Sequence, residues 1–237
     1  MKKLLATAIV AATPMMAQAD LLFTIDAGAS VWQADATGSV ETTDTGDLVD
    51  LGSDGMNLGE ENQNVLFVSF EHPIPVLPNV KIMSTALDFS GDDQSKLDLS
   101  NTDLTLYWGV PLPIPFLDIN FGLTARQFDG EIVNVSASTP ISEELDFVVP
   151  MGYLNLELDT PFGIYGYVDL NTISYSGNGI TDTAIAIGYT LPIPLVDINL
   201  EAGHRSLAVK TDEDLAGIDT DIDVSGMFYG VNLSVGF

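Results

Sequence analysis

The last segment of the chain alternates strictly between apolar and polar positions, and this pattern restricts the fold more than any other feature. Every odd residue from 227 to 237 is apolar, whereas Phe228 is the one hydrophobic residue among the even positions. A period of two is the pattern of a β-strand with one apolar face. The segment also matches the roughly 9 to 11 residues with which a tilted strand crosses a bilayer.

Residues 21–31 show the same alternation, with Leu21, Phe23 and Ile25 on the apolar face. No run of 18 apolar residues follows residue 19, so helical membrane spans are excluded. Alternation by itself fits either a transmembrane β-barrel or a soluble, secreted β-sandwich, because both contain strands with one apolar face.

A repeated proline motif favours the barrel. Residues 113–126 (PIPFLDINFGLTAR) recur 79 positions later as residues 192–205 (PIPLVDINLEAGHR), and residues 73–77 give a shorter copy. Proline cannot donate to a strand ladder, so these motifs mark turns. They alternate with acidic stretches that are rich in Gly, Ser and Thr, which is the layout of an outer-membrane barrel with short turns at one end and polar loops at the other.

We therefore predict an all-β fold, a transmembrane antiparallel up-and-down β-barrel. Four turns and five loops give ten strands, and eight strands are the alternative if a poorly alternating pair is loop. The predicted strands are residues 20–34, 64–72, 79–90, 97–110, 116–128, 145–159, 164–175, 181–191, 196–210 and 219–237.

Residues 1–19 are predicted to be a signal peptide that precedes a single barrel domain over residues 20–237. Lys2 and Lys3 are followed by a short apolar stretch, and Ala17-Gln18-Ala19 fits the small-x-small cleavage pattern. A signal peptide that is cleaved near Ala19 directs the chain to the cell envelope, and the barrel prediction places it in the outer membrane.

The charge balance decides which partners we expect. The chain has 34 Asp and Glu against 7 Lys and Arg, a formal charge of -27, and no cysteine. Nucleic acid is excluded because phosphate contacts need clustered basic side chains, and disulfides and thiolate metal sites are excluded as well. No cofactor is predicted. The expected partners are membrane lipid, lipopolysaccharide reached through divalent cations, and the barrel assembly machinery, which recognises the C-terminal strand through Tyr229, Val231, Leu233, Val235 and Phe237.

Three segments carry a resemblance to known proteins: Phe70-Glu71-His72-Pro73 with the following Pro78-Asn79, residues 203–207 with the acidic run after them, and the last strand ending at Phe237. In these segments the chain resembles a group of small Gram-negative outer-membrane β-barrel proteins of unassigned function. The resemblance spans most of the chain after the signal peptide. It implies a fold and a location but no activity.

The phase of the repeated strands points two arginines into the barrel. If Leu117, Ile119 and Phe121 face lipid, then Arg126 faces the lumen, and the repeat gives Arg205 the same orientation. An unpaired buried guanidinium costs about 3 to 5 kcal/mol, so we predict a salt-bridged lumen. An anion-selectivity pair is the alternative. The predicted partners of the two arginines are Asp26, Asp118, Asp197 and Glu201.

Aromatic residues are assigned to two places. Tyr165, Tyr167, Trp32 and Phe228 are expected to fill or line the lumen. Trp32 is alternatively a member of an aromatic girdle at the membrane interfaces. The other expected girdle members are Tyr107, Trp108, Tyr189 and Tyr229.

Two further candidate sites lie outside the lumen. Asp212 and Asp214 belong to an acidic run, and clustered carboxylates favour hard cations such as Ca²⁺, but a solvated surface that prevents aggregation is the favoured interpretation and no metal site is predicted. His204 and Ser206 share the lipid-facing side of their strand, and Asp212 or Glu213 is available as a third group. This arrangement resembles the catalytic residues of outer-membrane lipid A deacylases.

The deacylase match covers only the triplet His204-Arg205-Ser206, so we do not predict an enzyme. The predicted function is that of an integral outer-membrane barrel with a structural, narrow-passage or small-ligand role and an ion-paired lumen. The alternatives are a passive small-solute channel and a lipid A deacylase-like hydrolase.

Overall fold

The computed structural model describes residues 23–41, 48–53, 55–134, 141–211 and 219–237. The predicted signal peptide and residues Asp212, Glu213 and Asp214 lie outside these ranges. Within them the chain forms one short 3₁₀ helix (Asp92–Gln94) and thirteen strands, which are β1 (Thr24–Glu41), β2 (Leu48–Asp50), β3 (Glu61–Glu71), β4 (Asn79–Thr85), β5 (Asp88–Ser90), β6 (Lys96–Asp98), β7 (Asn101–Gly109), β8 (Leu117–Asn134), β9 (Ile141–Asp159), β10 (Ile164–Tyr175), β11 (Asn178–Ile193), β12 (Val196–Thr211) and β13 (Asp219–Gly236).

Ten of these strands close into a barrel. The order is β1, β3, β4, β7, β8, β9, β10, β11, β12 and β13, and β13 pairs with β1 over the full length of both strands. Every neighbouring pair is antiparallel. The prediction of a ten-stranded up-and-down barrel is confirmed, and the eight-stranded alternative is wrong.

The remaining three strands are local additions. β5 and β6 pair with each other and extend β4 and β7 after short interruptions, while β2 adds three residues to the edge of β1. No helix in the described ranges is long and apolar enough to span a bilayer.

The two ends of the barrel differ in their connections. Residues 72–78, 110–116, 160–163 and 194–195 form the proline turns at one end, here called the turn end. The opposite end, the loop end, carries the remaining connections, several of which are acidic. Several strands extend further toward the loop end than predicted, and β8 and β9 pair continuously from Leu117↔Leu158 to Asn134↔Ile141. Much of the acidic stretch 129–144 is therefore strand.

The outer surface near the turn end is an apolar belt. Side chains that point away from the lumen there include Leu66, Phe121, Leu123, Ile187 and Leu233, and each is between 47% and 66% exposed. In a closed barrel every strand has two neighbours to pair with, so this surface can face hydrocarbon without leaving unpaired backbone groups. The belt is what the alternation in the sequence predicted.

The polarity of the two faces inverts toward the loop end. On β13 the outward residues change from Val231 and Tyr229 to Ser225 and Asp223, while the inward residues change from Asn232 to Phe228 and the fully buried Val224. β1 and β8 change at the same level, at Trp32 and at Phe128. The loop-end half of the barrel is thus packed like a water-soluble protein, with a polar outside and an apolar inside.

The long first connection contributes to this apolar interior. Leu51, Met56 and Leu58 are buried among residues from β1, β5, β6 and β13. The amide of Leu51 donates to Gly38 O at 2.9 Å, and the amide of Asp92 donates to Met56 O at 3.0 Å. The described residues of the segment 48–58, here called the lid, therefore cover the loop end of the bore.

Candidate functional site

Two arginines and two aspartates meet inside the barrel where the polarity inverts. Arg126 donates from Nε and Nη2 to the two carboxylate oxygens of Asp103, both at 2.7 Å, and Nη2 also lies 2.7 Å from Asp182 Oδ2. Arg205 makes a second two-point contact with Asp182, at 2.9 and 2.7 Å. All four side chains are buried. Two-point guanidinium–carboxylate pairs are the strongest side-chain hydrogen bonds available.

This ion-pair cluster crosses the bore of the barrel. Arg126 on β8 reaches Asp182 on β11, past the two strands between them, and Arg205 Nη1 on β12 donates to Thr85 Oγ1 on β4 at 3.2 Å. The guanidinium of Arg205 also lies over the Trp32 ring, 4.8 Å from its centroid. Contacts between non-neighbouring strands occupy the centre of a small barrel, so the cluster lies across the middle of the bore.

An ion-paired lumen was predicted and is present, but the carboxylates that meet the arginines are not those expected. Asp118 and Asp197 each lie eight residues before the arginine of their own strand. At about 3.3 Å per residue this is some 26 Å along the strand. Asp26 instead accepts from Ser69 Oγ at 3.0 Å near the turn end.

Glu201 also bonds elsewhere than predicted. It accepts from Asn232 Nδ2 at 3.0 Å and lies 3.4 and 3.3 Å from the hydroxyls of Tyr165 and Tyr167. It is four residues before Arg205 on the same strand, which is about 13 Å along the strand toward the turn end. Glu201 therefore belongs to the space under the cluster.

Sequence reasoning missed Asp103 and Asp182. Asp103 lies within the predicted strand 97–110, and residues 101–108 alternate once Leu104 and Leu106 are placed outward. Asp182 follows from the same rule, because Ile185 and Ile187 on its strand face outward. Strand phase is the sequence signal that could have identified both.

Below the cluster lies a cavity of about 460 Å³ that extends toward the turn end, here called the vestibule. Its lining is acidic and aromatic. Apart from the Asp182–Arg205 pair, one cation, Lys81, lines it. The carboxylates that line it are Asp26, Glu71, Asp118, Glu157, Asp159, Asp169 and Glu201.

Lys81 shows which chemical group the vestibule accommodates. Its ammonium nitrogen lies 3.0 Å from Asp169 Oδ2 and within 6 Å of two ring centroids, those of Phe67 and Tyr153. A carboxylate beside aromatic faces is a favourable environment for an ammonium ion. Among the described residues, the other six carboxylates of this lining have no cation within ion-pair distance, so the lining favours a positively charged group.

The aromatic assignments are partly corrected. Trp32 is fully buried inside the barrel and Tyr107 points inward, where its hydroxyl donates to Glu71 Oε1 at 2.7 Å. Neither residue faces lipid, because each shares the inward phase of its strand. Tyr189 and Tyr229 lie on the outer surface, and Trp108 stacks on Phe121 there, with ring centroids 6.2 Å apart.

Comparison with known proteins gives architecture and no family. No protein-family model matches the chain, and no curated protein matches its sequence. Among solved structures it is similar to the outer membrane protease OmpT of Escherichia coli (11% identity, 90% of this chain and 97% of that one, TM-score 0.45). It is also similar to the β domain of the Bordetella autotransporter BrkA (8% identity, 91% of this chain and 100% of that one, TM-score 0.46). A third similar structure is the Pseudomonas putida toluene transporter TodX (8% identity, 91% of this chain and 90% of that one, TM-score 0.33).

The chain has the fold of an outer-membrane β-barrel. Ten antiparallel strands that close on themselves behind an apolar outer belt are that architecture. The names of the three solved barrels describe different activities, and a shared fold does not determine a function.

His204 and Ser206 lie on the same outward face, as predicted, next to Met227 and Ser225 of β13. No hydrogen bond joins the two side chains in the described part of the chain, and Glu213 lies outside it. Asp212 and Asp214, the candidate metal ligands, also lie outside it. Within the described residues no group of three or more His, Asp or Glu side chains is placed to hold a metal ion.

A separate ionic group lies on the outer surface beyond the belt. Lys96 Nζ lies 3.1 Å from Glu131, 3.2 Å from Asp98 and 3.5 Å from Asp88. Hydrogen bonding to Glu131 outweighs desolvation and raises the pKa of Lys96. Burial raises the pKa of Asp98, but hydrogen bonds from Ser100 and Lys96 outweigh it and the net pKa is lowered. The group ties β5, β6 and β8 together at the loop end.

Proposed function

We propose that this chain is an integral outer-membrane protein whose barrel is closed toward the cell exterior and holds a small cationic solute in a vestibule that opens at the turn end. The observation that carries the proposal is the cluster of Arg126, Asp182 and Arg205, which bridges strands across the bore. The apolar interior and the lid lie above it. The resemblance to small Gram-negative barrels supports the location.

The filled loop-end half of the barrel argues against the alternative function, that of a passive small-solute channel. Water and ions need a continuous polar path, and the loop-end half of the bore is filled by buried residues such as Trp32, Phe89 and Phe128. Barrels of eight to ten strands are filled by their own side chains, whereas wide aqueous pores have about 16 or more strands. A structural or small-ligand role follows.

Conductance in planar lipid bilayers tests the closure. We expect no stepwise current from the wild-type barrel, with folding of the same sample verified by its slower migration in gels after heating. Steady steps from wild-type protein would establish the channel instead. If Arg126→Ala or Arg205→Ala then reduced anion selectivity, the two arginines would be the selectivity pair.

The vestibule ligand is tested by calorimetry on the refolded barrel in detergent. A linear diamine is expected to bind and a dicarboxylate of the same length is not, because seven carboxylates face one lysine there. Asp169→Asn and Glu201→Gln should each weaken diamine binding. Asp35→Asn, on the outer surface, is the matched control that should leave it unchanged. Equal binding of both probes would refute the cationic ligand.

We further propose that the chain is not an enzyme. A serine nucleophile needs a base within hydrogen-bond reach, and His204 is not bonded to Ser206 in the structure. The expected result is that lipid A from cells producing the chain has the same acylation as lipid A from cells producing Ser206→Ala. Loss of an acyl chain that depends on Ser206 would establish the hydrolase.

A further inference from the structure

The turn end carries exposed apolar side chains at each of its connections. Val76 is 83% exposed, Phe162 80% and Leu195 89%, and Phe116 is half exposed on the remaining turn. The fifth corner is where β1 begins and β13 ends. There the Phe23 ring stacks on the Phe70 ring, with ring centroids 5.8 Å apart, and its centroid lies 6.0 Å from that of Phe237. All five corners of this rim are therefore apolar.

These turns also lack charge. Residues 72–78, 110–116, 160–163 and 194–195 contain no Asp, Glu, Lys or Arg, and His72 is their one titratable side chain. Turns that end in water are usually built from polar residues, and a contiguous exposed apolar surface marks a contact with something else. The loop end of the same barrel shows the ordinary case, since its connections are rich in polar residues.

The backbone holds the apolar tips in place. Leu195 has a φ of 77°, in the left-handed region that favours glycine over a residue with a side chain. Its side chain makes almost no contact within the barrel. At another turn, Trp108 Nε1 donates to Val76 O at 3.4 Å and His72 Nε2 bonds Pro78 O at 3.1 Å, which fixes the tip that Val76 presents.

We propose that the apolar rim, defined as Val76, Phe116, Phe162, Leu195 and the Phe23–Phe70–Phe237 corner, is inserted in the phospholipid leaflet at the turn end. The inference rests on the proposed membrane location and extends it. The rim adjoins the lipid-facing belt at two of the turns, since Leu158 and Ile164 flank one turn and Ile193 another, all exposed.

The apolar side chains of the rim are distributed around the whole circumference of the barrel, which favours lipid over a protein partner. A docked protein would cover one sector of the rim, whereas a bilayer surrounds all five corners at once. The nearby carboxylates Asp118 and Asp159 line the vestibule and do not face the belt. Only the apolar side chains meet the leaflet, and the vestibule therefore opens at the level of the phospholipid headgroups.

Fluorescence quenching by brominated phospholipids tests this. The background variant Trp108→Phe retains Trp32, which is fully buried and serves as an unquenched reference. Tryptophan is then introduced singly as Val76→Trp, Phe162→Trp or Leu195→Trp, and each barrel is reconstituted in vesicles brominated near the headgroup or near the acyl-chain end. Leu123→Trp in the belt and Thr37→Trp beyond it are the two controls.

We expect the three rim tryptophans to lose emission in lipid brominated near the headgroup, and Leu123→Trp to lose most in lipid brominated near the chain end. Thr37→Trp should lose none. If Leu123→Trp is quenched but the rim positions behave like Thr37→Trp, the rim lies in water and the inference is wrong while the membrane location stands. If Leu123→Trp is not quenched either, the membrane location itself fails.

Discussion

Arg126 is the single residue on which closure of the bore depends most, because it bonds Asp103 in two places and also reaches Asp182. Arg126→Ala leaves Asp103 buried without a cation and is expected to destabilise the barrel by about 3 to 5 kcal/mol. The measurement is the urea midpoint for unfolding of the barrel in detergent. The double variant Arg126→Met with Asp103→Leu should recover part of the loss, since it removes both charges.

Lys210 provides the matched control for this prediction. Its ammonium lies 2.8 Å from Asp221, a distance similar to that in the buried cluster, but both side chains are about 60% exposed. Pairs at the surface contribute little because water and salt screen them. Lys210→Ala should leave the midpoint unchanged, and a loss equal to that of Arg126→Ala would contradict the importance of burial.

Leu195 gives a prediction of opposite sign. Leu195→Gly relieves the left-handed backbone at that turn and removes an exposed side chain, so the barrel in detergent should gain about 1 kcal/mol. Val76→Gly is the control, because Val76 is similarly exposed but has an ordinary φ. A loss of stability in Leu195→Gly comparable to that in Val76→Gly would show that the strain is absent.

At the scale of elements, strand phase predicted most of what the structure shows. It placed β1, β8, β12 and β13 with the correct faces inward, and with them both arginines. The prediction is less accurate where it follows the acidic composition of a segment and not the alternation of its residues. Residues 129–144 were assigned to a loop because they are acidic, yet Ile132 and Leu145 alternate with those acids and pack inside the barrel.

Long-range pairing was beyond the reach of the sequence. Asp182 and Arg126 are brought together by the closure of the barrel, and no local pattern encodes which carboxylate meets which arginine across the bore. The same holds for the lid, since its buried residues Leu51 and Met56 stand in a stretch of Gly, Asp and Ser that reads as a solvated loop. Both depend on tertiary contacts.

The lid supplies a test at this scale. Leu51→Asp together with Met56→Asp buries two unpaired carboxylates, each of which costs several kcal/mol, and the three-residue pairing of β2 with β1 cannot offset that cost. The lid should detach while the barrel persists, so proteinase K added to intact cells should cleave within residues 48–58. The wild type and the exposed variant Thr37→Asp should resist, and cleavage of all three alike would show that the lid is never closed.

For the whole molecule, the inversion of polarity along the strands defines three layers. A belt with apolar residues outside and a polar vestibule inside lies at the turn end, the ion-pair cluster lies in the middle, and a segment with a polar outside and an apolar interior extends beyond it. The charged cluster thus separates a wet compartment from a dry one. Only the first layer is suited to contact lipid, which fixes the depth of the barrel in the membrane.

A cysteine scan along the outward face of β13 tests this central claim most directly, because the chain has no cysteine of its own. Single cysteines are placed at Asp221, Asp223 and Ser225 and at Tyr229, Val231 and Leu233, and intact cells are treated with a membrane-impermeant maleimide. Labelling is predicted at the first three positions and not at the last three, with the change near Met227. Equal labelling along the strand, or labelling of the last three alone, would contradict the account.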